Sequence, residues 1–386
     1  MKFRFKSLIL LSLLSYSCTF AGIKLFKTEK EQLNMDSFLQ ERLDLGDLQF
    51  KSSSFKWRKD IYTRRLDFIF KGYINPIDFK LELSLDRWFQ NYLNGKSINY
   101  PNKLIVKIAL LRWNFSKNFY FSIGKAKKPF SRVGLVSSKN LLLIDKPELF
   151  FKLKHFLGNY YSAQFLVGGN FLQNSLKWQV ATAYSYEFHN YNKLKVKTIH
   201  MGRYLFNNIF IRFTFSPQKW LEEKSNNTTF GKRALSIGVS YGYLGDFYIY
   251  RNGICSKGVG ILEDVDFFIR KPNFVKGSLV LSYEYQKGKY ILAKLANRGV
   301  EGFYTEIGYR PYFLNFKGLP LEFAFRFEDI SFHPGRVREY IYNEGLNIYS
   351  LNKKLKFTYN LQIINHIREY DNRVQKINSF QLQYFF

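Results

Sequence analysis

Residues 321–328 read Leu-Glu-Phe-Ala-Phe-Arg-Phe-Glu, so large apolar residues alternate with small or charged ones. Side chains of a β-strand point alternately to its two faces, and this stretch therefore predicts a strand with one aromatic face and one polar face. The same period of two recurs along most of the chain. Further examples are the stretches 66–71, 79–84, 235–242, 279–286 and 355–362. The sequence thus predicts an all-β protein.

Composition excludes two other classes of protein. Of the 386 residues, 41 are Phe and 28 are Tyr, and this much apolar surface must be buried somewhere, which excludes a disordered chain. The mean hydropathy is −0.25 and no long apolar run follows the N-terminus, which excludes a bundle of membrane-spanning helices. The formal net charge of +29 indicates an anionic partner without identifying it.

The first 21 residues have the order of a secretory signal peptide. Lys2, Arg4 and Lys6 precede the short apolar run 8–14, and small residues follow, with cleavage expected before Gly22. Cys18 leaves open a lipoprotein, in which this cysteine would carry the lipid. After cleavage before Gly22, Cys255 is the one remaining cysteine. An intrachain disulfide is then impossible, and the exported chain needs another source of stability.

The polar faces of the predicted strands carry Lys, Arg and Glu at mid-strand, which suits a water-filled lumen better than the surface of a soluble sandwich. In lipid, a β-chain must close on itself so that its backbone groups are all paired. At about 22 residues per strand and connection, the mature chain predicts a transmembrane antiparallel β-barrel of about 16 strands. We assign it to residues 58–386. Residues 22–57 are interpreted as a polar, possibly periplasmic leader, helix-compatible over Glu29–Leu45.

The last residues predict a strand that also serves as the assembly signal of an outer-membrane barrel. Apolar residues alternate there and the final residue is aromatic, as outer-membrane assembly requires. The residues concerned are Phe380, Leu382, Tyr384 and Phe386.

Several collinear stretches resemble the phosphate-selective porin O and P family. The strongest is Phe-Ser-Ile-Gly-Lys-Ala-Lys-Lys-Pro-Phe at 121–130, followed by Leu-Val-Ser-Ser-Lys at 135–139 and Ile-Asp-Lys at 144–146. Weaker similarities lie at 64–72, 78–83, 345–352 and 380–386. The chain departs from the family pattern at Arg132, where an acidic residue is usual, and at Ile348 in place of Trp. Lysine largely replaces the arginines of an anion path, so the resemblance supports the porin fold more than phosphate selectivity.

The resemblance implies that the segment after residues 120–125 folds into the lumen as a constriction loop. Its cations and hydroxyl groups would replace the hydration shell of a permeant anion. These residues are Lys127, Lys128, Arg132, Ser137, Ser138 and Lys139. Five cations on polar strand faces would line the approach to it, namely Lys80, Lys107, Arg310, Arg326 and Lys356. In the alternative interpretation, these are ordinary lumen charges balanced by Glu82, Glu284, Glu306, Glu322 and Glu328.

The sequence patterns that could indicate an enzyme or a cofactor site do not meet the structural requirements of such sites. Gly238–Gly242 spells G-x-S-x-G, but Ser240 lies within a predicted strand and not at the sharp strand-to-helix turn that a nucleophile needs. The five histidines lack metal-binding spacing. We therefore expect no catalysis, no cofactor, no metal and no nucleic-acid partner.

Two functions remain open. The first is an outer-membrane porin for passive diffusion of small anionic solutes, possibly phosphate or polyphosphate, with outer-membrane lipid and the barrel-assembly machinery as partners. The family resemblance implies a homotrimer. The second is an adhesin or surface-interaction barrel that binds its partners through long loops, expected at 187–197, 221–232 and 251–263.

Overall fold

The computed structural model describes most of the chain after the predicted signal peptide. Its ranges are 23–28, 31–47, 57–86, 91–92, 104–116, 118–154, 160–184, 188–191, 196–199, 208–217, 232–251, 254–294, 297–333, 337–350, 354–368 and 371–385. The predicted signal peptide, Cys18, Phe386 and residues 221–231 lie outside these ranges.

The described residues form twenty-one strands in chain order. They are β1 Ile23–Lys27, β2 Glu31–Asp47, β3 Trp57–Ile74, β4 Ile77–Asp86, β5 Asn91–Tyr92, β6 Leu104–Asn114, β7 Phe119–Lys127, β8 Tyr161–Phe171, β9 Leu176–Ala183, β10 Phe188–Tyr191 and β11 Val196–Ile199. The remainder are β12 Asn208–Phe215, β13 Ala234–Arg251, β14 Ile254–Phe274, β15 Gly277–Leu292, β16 Arg298–Pro311, β17 Asn315–Phe316, β18 Leu319–His333, β19 Val337–Tyr349, β20 Leu355–Arg368 and β21 Asp371–Phe385.

Consecutive strands pair antiparallel, and the last strand returns to the second. The β21–β2 ladder runs from the Phe38–Phe385 pair to the Gly46–Ile377 pair, and it closes the sheet. Five short pieces (β1, β5, β10, β11 and β17) extend or flank longer strands. Within the described residues, the barrel itself has 16 strands, which confirms the predicted fold class and strand number.

The two faces of the barrel wall differ as the alternation predicts. Val239 on β13 and Phe325 on β18 point outward and are 45% and 40% exposed, whereas Glu322 and Arg326 point inward and are 0% and 1% exposed. Since a free-standing barrel exposes apolar side chains on its outer face, lipid is the solvent that this face requires. The inward polar side chains are buried because another part of the chain packs on them.

Among the residues that the structure describes, helical structure lies between β7 and β8. It comprises α1 at Arg132–Leu135, a 3₁₀ turn at Ser138–Asn140 and α2 at Glu148–Lys154. No helix among the described residues combines the length and the apolar character needed to cross a membrane.

The polar leader expected over residues 22–57 is wrong for Glu31–Asp47, which forms β2 and pairs with both β3 and β21. Leu39 and Leu43 are four residues apart, a spacing that also fits a helix. In the barrel both lie on the outer face, in register with Tyr384 and Phe380. Gln40 and Arg42 point inward instead, and Arg42 bonds to the interior.

The long loop expected over 251–263 is also wrong, because β13 extends to Arg251 and β14 begins at Ile254. Glycines made this stretch resemble a loop. Gly260 instead lies on the crowded inner face, where a Cβ would come within 3.0 Å of Leu244. The loop expected over 187–197 likewise contains β10 and the start of β11.

Replacing Val239 with Arg tests which face meets lipid. We expect the barrel to lose about 2–4 kcal/mol of unfolding free energy, the cost of an arginine at the bilayer midplane. Urea unfolding in lipid vesicles, followed by tryptophan fluorescence, measures it. Val239→Leu keeps the side chain apolar and is the matched control. Equal stability of all three proteins would show that Val239 does not face hydrocarbon.

Candidate functional site inside the barrel

The chain between β7 and β8 lies against the polar faces of the barrel strands. We call residues 128–154 the inner segment. Its apolar side chains are buried, and Phe130, Val133, Leu142 and Leu149 are each 0% exposed. An apolar segment in this position is stable only if its backbone groups also find partners, and the wall supplies those partners at three places.

The first contact is made with Glu284 on β15. Its carboxylate accepts hydrogen bonds from the Ser131 hydroxyl, from the Val133 backbone N–H at 3.2 Å and from the Tyr304 hydroxyl at 2.7 Å. Donors surrounding a buried carboxylate compensate for its lost hydration. Glu284 therefore fixes the start of α1 to the wall.

The second contact lies at residues 141–143. Lys356 on β20 donates to the Leu141 carbonyl at 2.7 Å, and Asn347 on β19 donates to the Leu142 carbonyl at 2.8 Å. Glycine permits the close approach, because a Cβ at Gly345 would lie 2.5 Å from the Leu143 side chain. The wall is thus shaped to receive these leucines.

The third contact is the ion-pair cluster around Asp145. Arg42 on β2 lies 2.5 Å from one carboxylate oxygen, and Arg64 on β3 donates to the other. Arg64 also donates to the Ile144 carbonyl at 2.8 Å, and Arg326 on β18 donates to the Asp145 carbonyl at 2.9 Å. Strands that meet where the barrel closes are therefore joined to the inner segment.

Burial by itself would raise the pKa of Asp145, but the positive charges of Arg42 and Arg64 outweigh it and hold that pKa below its ordinary range. The folded state thus binds this proton more weakly than the unfolded chain does. The stabilisation is complete above the ordinary aspartate pKa, about 3.9, and it is lost as the pH falls below that value.

A cavity of about 210 Å³ remains between the inner segment and strands β4, β6–β9 and β12. Among the residues that the structure describes, six cationic ones line this cavity and no Asp or Glu does. The six are Lys80, Arg112, Lys127, Arg132, Lys177 and Arg212. Low-dielectric walls strengthen a field of one sign, which is the electrostatic condition for attracting anions.

The cations of the cavity differ in how they are compensated. Lys80 pairs with Glu82 at 2.9 Å, and Arg212 pairs with Asp266 at 2.7 Å and Asp264 at 3.3 Å. Lys127 instead donates to three carbonyls, those of residues 134, 135 and 136, at 3.2, 2.9 and 3.1 Å. These three carbonyls fix the Lys127 side chain at the cavity wall.

The structure separates the six residues predicted for the constriction. Lys127 and Arg132 line the cavity, and the Arg132 guanidinium stacks 3.7 Å from the centroid of the Phe268 ring. Lys128 is fully buried, with its ammonium 5.0 Å from the centroid of the Phe210 ring. Ser137 and Ser138 begin the 3₁₀ turn and do not line this cavity. Lys139 lies in the same turn, and its side chain is outside the described part of the structure.

The five cations predicted along the approach also have different surroundings. Lys80 lines the cavity, Lys107 pairs with Asp67 at 3.1 Å, and Arg310 is half-buried on β16. Arg326 and Lys356 instead hold the inner segment, as described above. At the end of the chain, Phe380, Leu382 and Tyr384 lie on β21, where the Phe380 ring packs 5.1 Å from that of Tyr359. Their role in assembly stays a prediction.

Sequence reasoning missed the residues that join wall and segment. Arg64 and Asp145 both stand in stretches noted for their family resemblance, but nothing local indicates that they meet. Arg112 and Arg212 were missed as well. A signal for both exists, since each occupies an inward position of an alternating strand.

One group of carboxylates is close enough to bind a metal ion, namely Asp264, Asp266 and Glu284 among the described residues. These carboxylates already have protein partners. Ser240 donates to Asp264 at 2.9 Å, Arg212 pairs with both aspartates, and Glu284 holds the inner segment. The arrangement is that of a structural network and does not indicate a cofactor site.

A closed barrel with an apolar outer face, a polar inner face and an inserted segment defines the porins of the outer membrane. The profile of the phosphate-selective porin O and P family matches residues 39–386, and the chain belongs to that family. The family and the fold indicate a channel protein rather than an enzyme.

Comparison with individual proteins agrees with this assignment. An uncharacterised protein of Aquifex aeolicus (strain VF5) is 29% identical over 363 residues, which cover 90% of this chain and 86% of the relative. Two solved structures share the fold at low sequence identity. The anion-selective porin from Comamonas acidovorans has a TM-score of 0.57 at 9% identity, covering 92% of this chain and 100% of that one. OmpT of Vibrio cholerae has a TM-score of 0.56 at 8% identity, covering 94% and 99%.

Replacing Asp145 with Asn tests the third contact. We expect the free energy of local opening of residues 141–150 to fall by about 3 kcal/mol. This is the low end of the cost of breaking a buried ion pair, because the Asp145 side chain is 30% exposed. That corresponds to roughly hundredfold faster amide exchange, measured by mass spectrometry on the folded barrel. Asp36→Asn breaks the more exposed Asp36–Lys71 pair and is the control, with an expected loss below about 1 kcal/mol. Unchanged exchange in Asp145→Asn would contradict the assigned contact.

Proposed function

We propose that the protein is an outer-membrane porin through which small anionic solutes diffuse passively, past a constriction formed by the inner segment. One observation carries this proposal: the cavity beside the segment is lined by six cations and by no carboxylate. The family and the fold support a porin, and the charge of the cavity supports its preference for anions.

The contacts of the inner segment support its role as the narrowing element. It is held by strands other than those that line the cavity, namely by Glu284 on β15, by Lys356 with Asn347 on β20 and β19, and by Arg42 with Arg64 on β2 and β3. The remaining passage then runs along β4, β6–β9 and β12. An anion that loses water there meets cations and polar side chains, and weak binding lets it leave again.

Two cations of the cavity lie where the inner segment begins. Carbonyl groups of residues 134–136 accept hydrogen bonds from Lys127, and the Phe268 ring packs on the Arg132 guanidinium. Lys128, Ser137, Ser138 and Lys139 stay part of the proposal as the remainder of the constriction, with Lys107 and Arg310 on the approach to it.

We further propose export by a cleaved signal peptide and assembly into a homotrimer. OmpT of Vibrio cholerae, whose trimer form matches with a TM-score of 0.51, supports the second statement through its likeness in fold. Phosphate and polyphosphate remain test solutes for this barrel, because the family is named for phosphate while lysines replace many of its arginines. The adhesin alternative loses support, because residues 254–263 lie in a strand and not in a loop.

Reversing two cavity charges, Lys80→Glu with Lys177→Glu, tests the anion preference. We expect the wild-type barrel to conduct in steps and to favour chloride over potassium. The double variant should lose that preference by about tenfold, because a field of one sign raises the local ion concentration by at least that factor. Zero-current potentials across a planar bilayer under a KCl gradient measure the permeability ratio.

The control carries the same charge change at two exposed lysines that do not line the cavity, Lys289→Glu with Lys294→Glu. Its permeability ratio should stay close to that of the wild type. An unchanged ratio in the cavity variant, with steps retained, would remove the cavity from the conducting path.

A further inference from the structure

The lining of the cavity is not uniformly polar. Aliphatic side chains reach it from two strands and from the inner segment, namely Ile108, Leu110, Leu135, Val136 and Leu166. Ile108 and Leu110 precede Arg112 on the same face of β6, because the intervening Leu111 and the following Trp113 are exposed on the outer face. A guanidinium therefore borders an apolar wall.

Arg112 differs from the other arginines of this interior. Among the described residues it has no carboxylate partner, and its Nε atom is buried without a hydrogen-bond acceptor. The carboxylate opposite it in the sheet register, that of Asp78, accepts a hydrogen bond from Asn114 at 2.9 Å. Arg112 therefore lies beside the cavity without an ion-pair partner among the described residues.

The guanidinium is nevertheless held in position. It lies 4.5 Å from the centroid of the Tyr120 ring, and Gln179 donates to the Tyr120 hydroxyl at 2.9 Å. Gly168 leaves room for that ring, since a Cβ at this position would lie 2.5 Å from Tyr120. A planar guanidinium fixed on a ring presents its remaining N–H groups in a set direction, which suits the two oxygens of a carboxylate.

These observations point to one class of ligand. We infer that the cavity binds a small organic anion, a monocarboxylate whose charged end pairs with Arg112 and whose apolar body lies on the aliphatic wall. The inference rests on the proposed function and names the solute class for the same passage. Inorganic phosphate fits less well, because it has no apolar part to lie on the aliphatic wall. The volume of about 210 Å³ lies below the roughly 300–1,000 Å³ of pockets for drug-sized ligands, which favours a short body.

The test is inhibition of the chloride current by straight-chain carboxylates, from acetate to hexanoate, in a planar bilayer. We expect the inhibition constant to fall by about fourfold per added methylene, the factor for burying that group. Inorganic phosphate at the same charge concentration should inhibit no better than acetate. Equal inhibition by acetate and hexanoate, or stronger inhibition by phosphate, overturns the inference while leaving an anion-selective porin intact.

Two variants locate the site. Arg112→Gln should weaken hexanoate inhibition at least tenfold, and Leu110→Asn should weaken hexanoate but not acetate. Arg338→Gln removes an exposed arginine on the outer side of β19 and is the matched control. Folding of each variant is checked by its resistance to unfolding in detergent at room temperature. Unchanged hexanoate inhibition in folded Arg112→Gln overturns the inference.

A second measurement does not depend on conduction. Calorimetric titration of the detergent-solubilised wild-type barrel with hexanoate should give saturable binding that Arg112→Gln weakens by the same factor. Binding without conducting steps would support the carboxylate site and refute the porin proposal. Absence of saturable binding overturns the carboxylate site whether or not the barrel conducts.

Discussion

Everything in this structure depends on backbone hydrogen bonds that join every strand of the barrel to two neighbours. No water is present inside a bilayer to satisfy an open sheet edge, so the first and last barrel strands must meet. Here β2 and β21 do so over nine consecutive residue pairs, from Phe38–Phe385 to Gly46–Ile377. Closure then dictates the rest, because it sends one side of every strand to lipid and the other to a shared interior. Charged residues that would be scattered over a soluble surface are concentrated around one axis.

That concentration explains how an apolar segment can lie in a polar lumen. Inward carboxylates and ammonium groups lose water when residues 128–154 pack on them, and the cost is offset only if each finds a partner. The segment supplies backbone N–H groups to Glu284 and Glu328, carbonyls to Lys356 and Arg326, and the carboxylate of Asp145 to Arg42 and Arg64. Many of the inward charges on β2, β3, β15, β18 and β20 therefore hold the segment in place.

The sequence predicted the strands better than it predicted the site. In 321–328 both faces can be read directly, since each position is plainly apolar or polar. In β2 the leucines fit two periods at once, and the inward Arg42 and Asp44 made the strand resemble a soluble leader. The prediction of the site residues failed for a different reason. Alternation places Lys80, Arg326 and Lys356 on the same inner face. The inner segment covers only Arg326 and Lys356, and the residues that bond to them, Asp145 and Leu141, lie 181 and 215 positions away along the chain. Local patterns carry no information about such contacts.

The net charge of +29 is consequently a poor guide to the charge of the passage. Glu82 pairs with Lys80, and two aspartates pair with Arg212, so the number of inward cations does not by itself give the field in the cavity. Arg112 is held by the Tyr120 ring and not by a carboxylate, so its outer N–H groups remain available to a passing anion. Under the proposed function, anion selectivity therefore depends less on how many cations face inward than on which of them are held without a carboxylate.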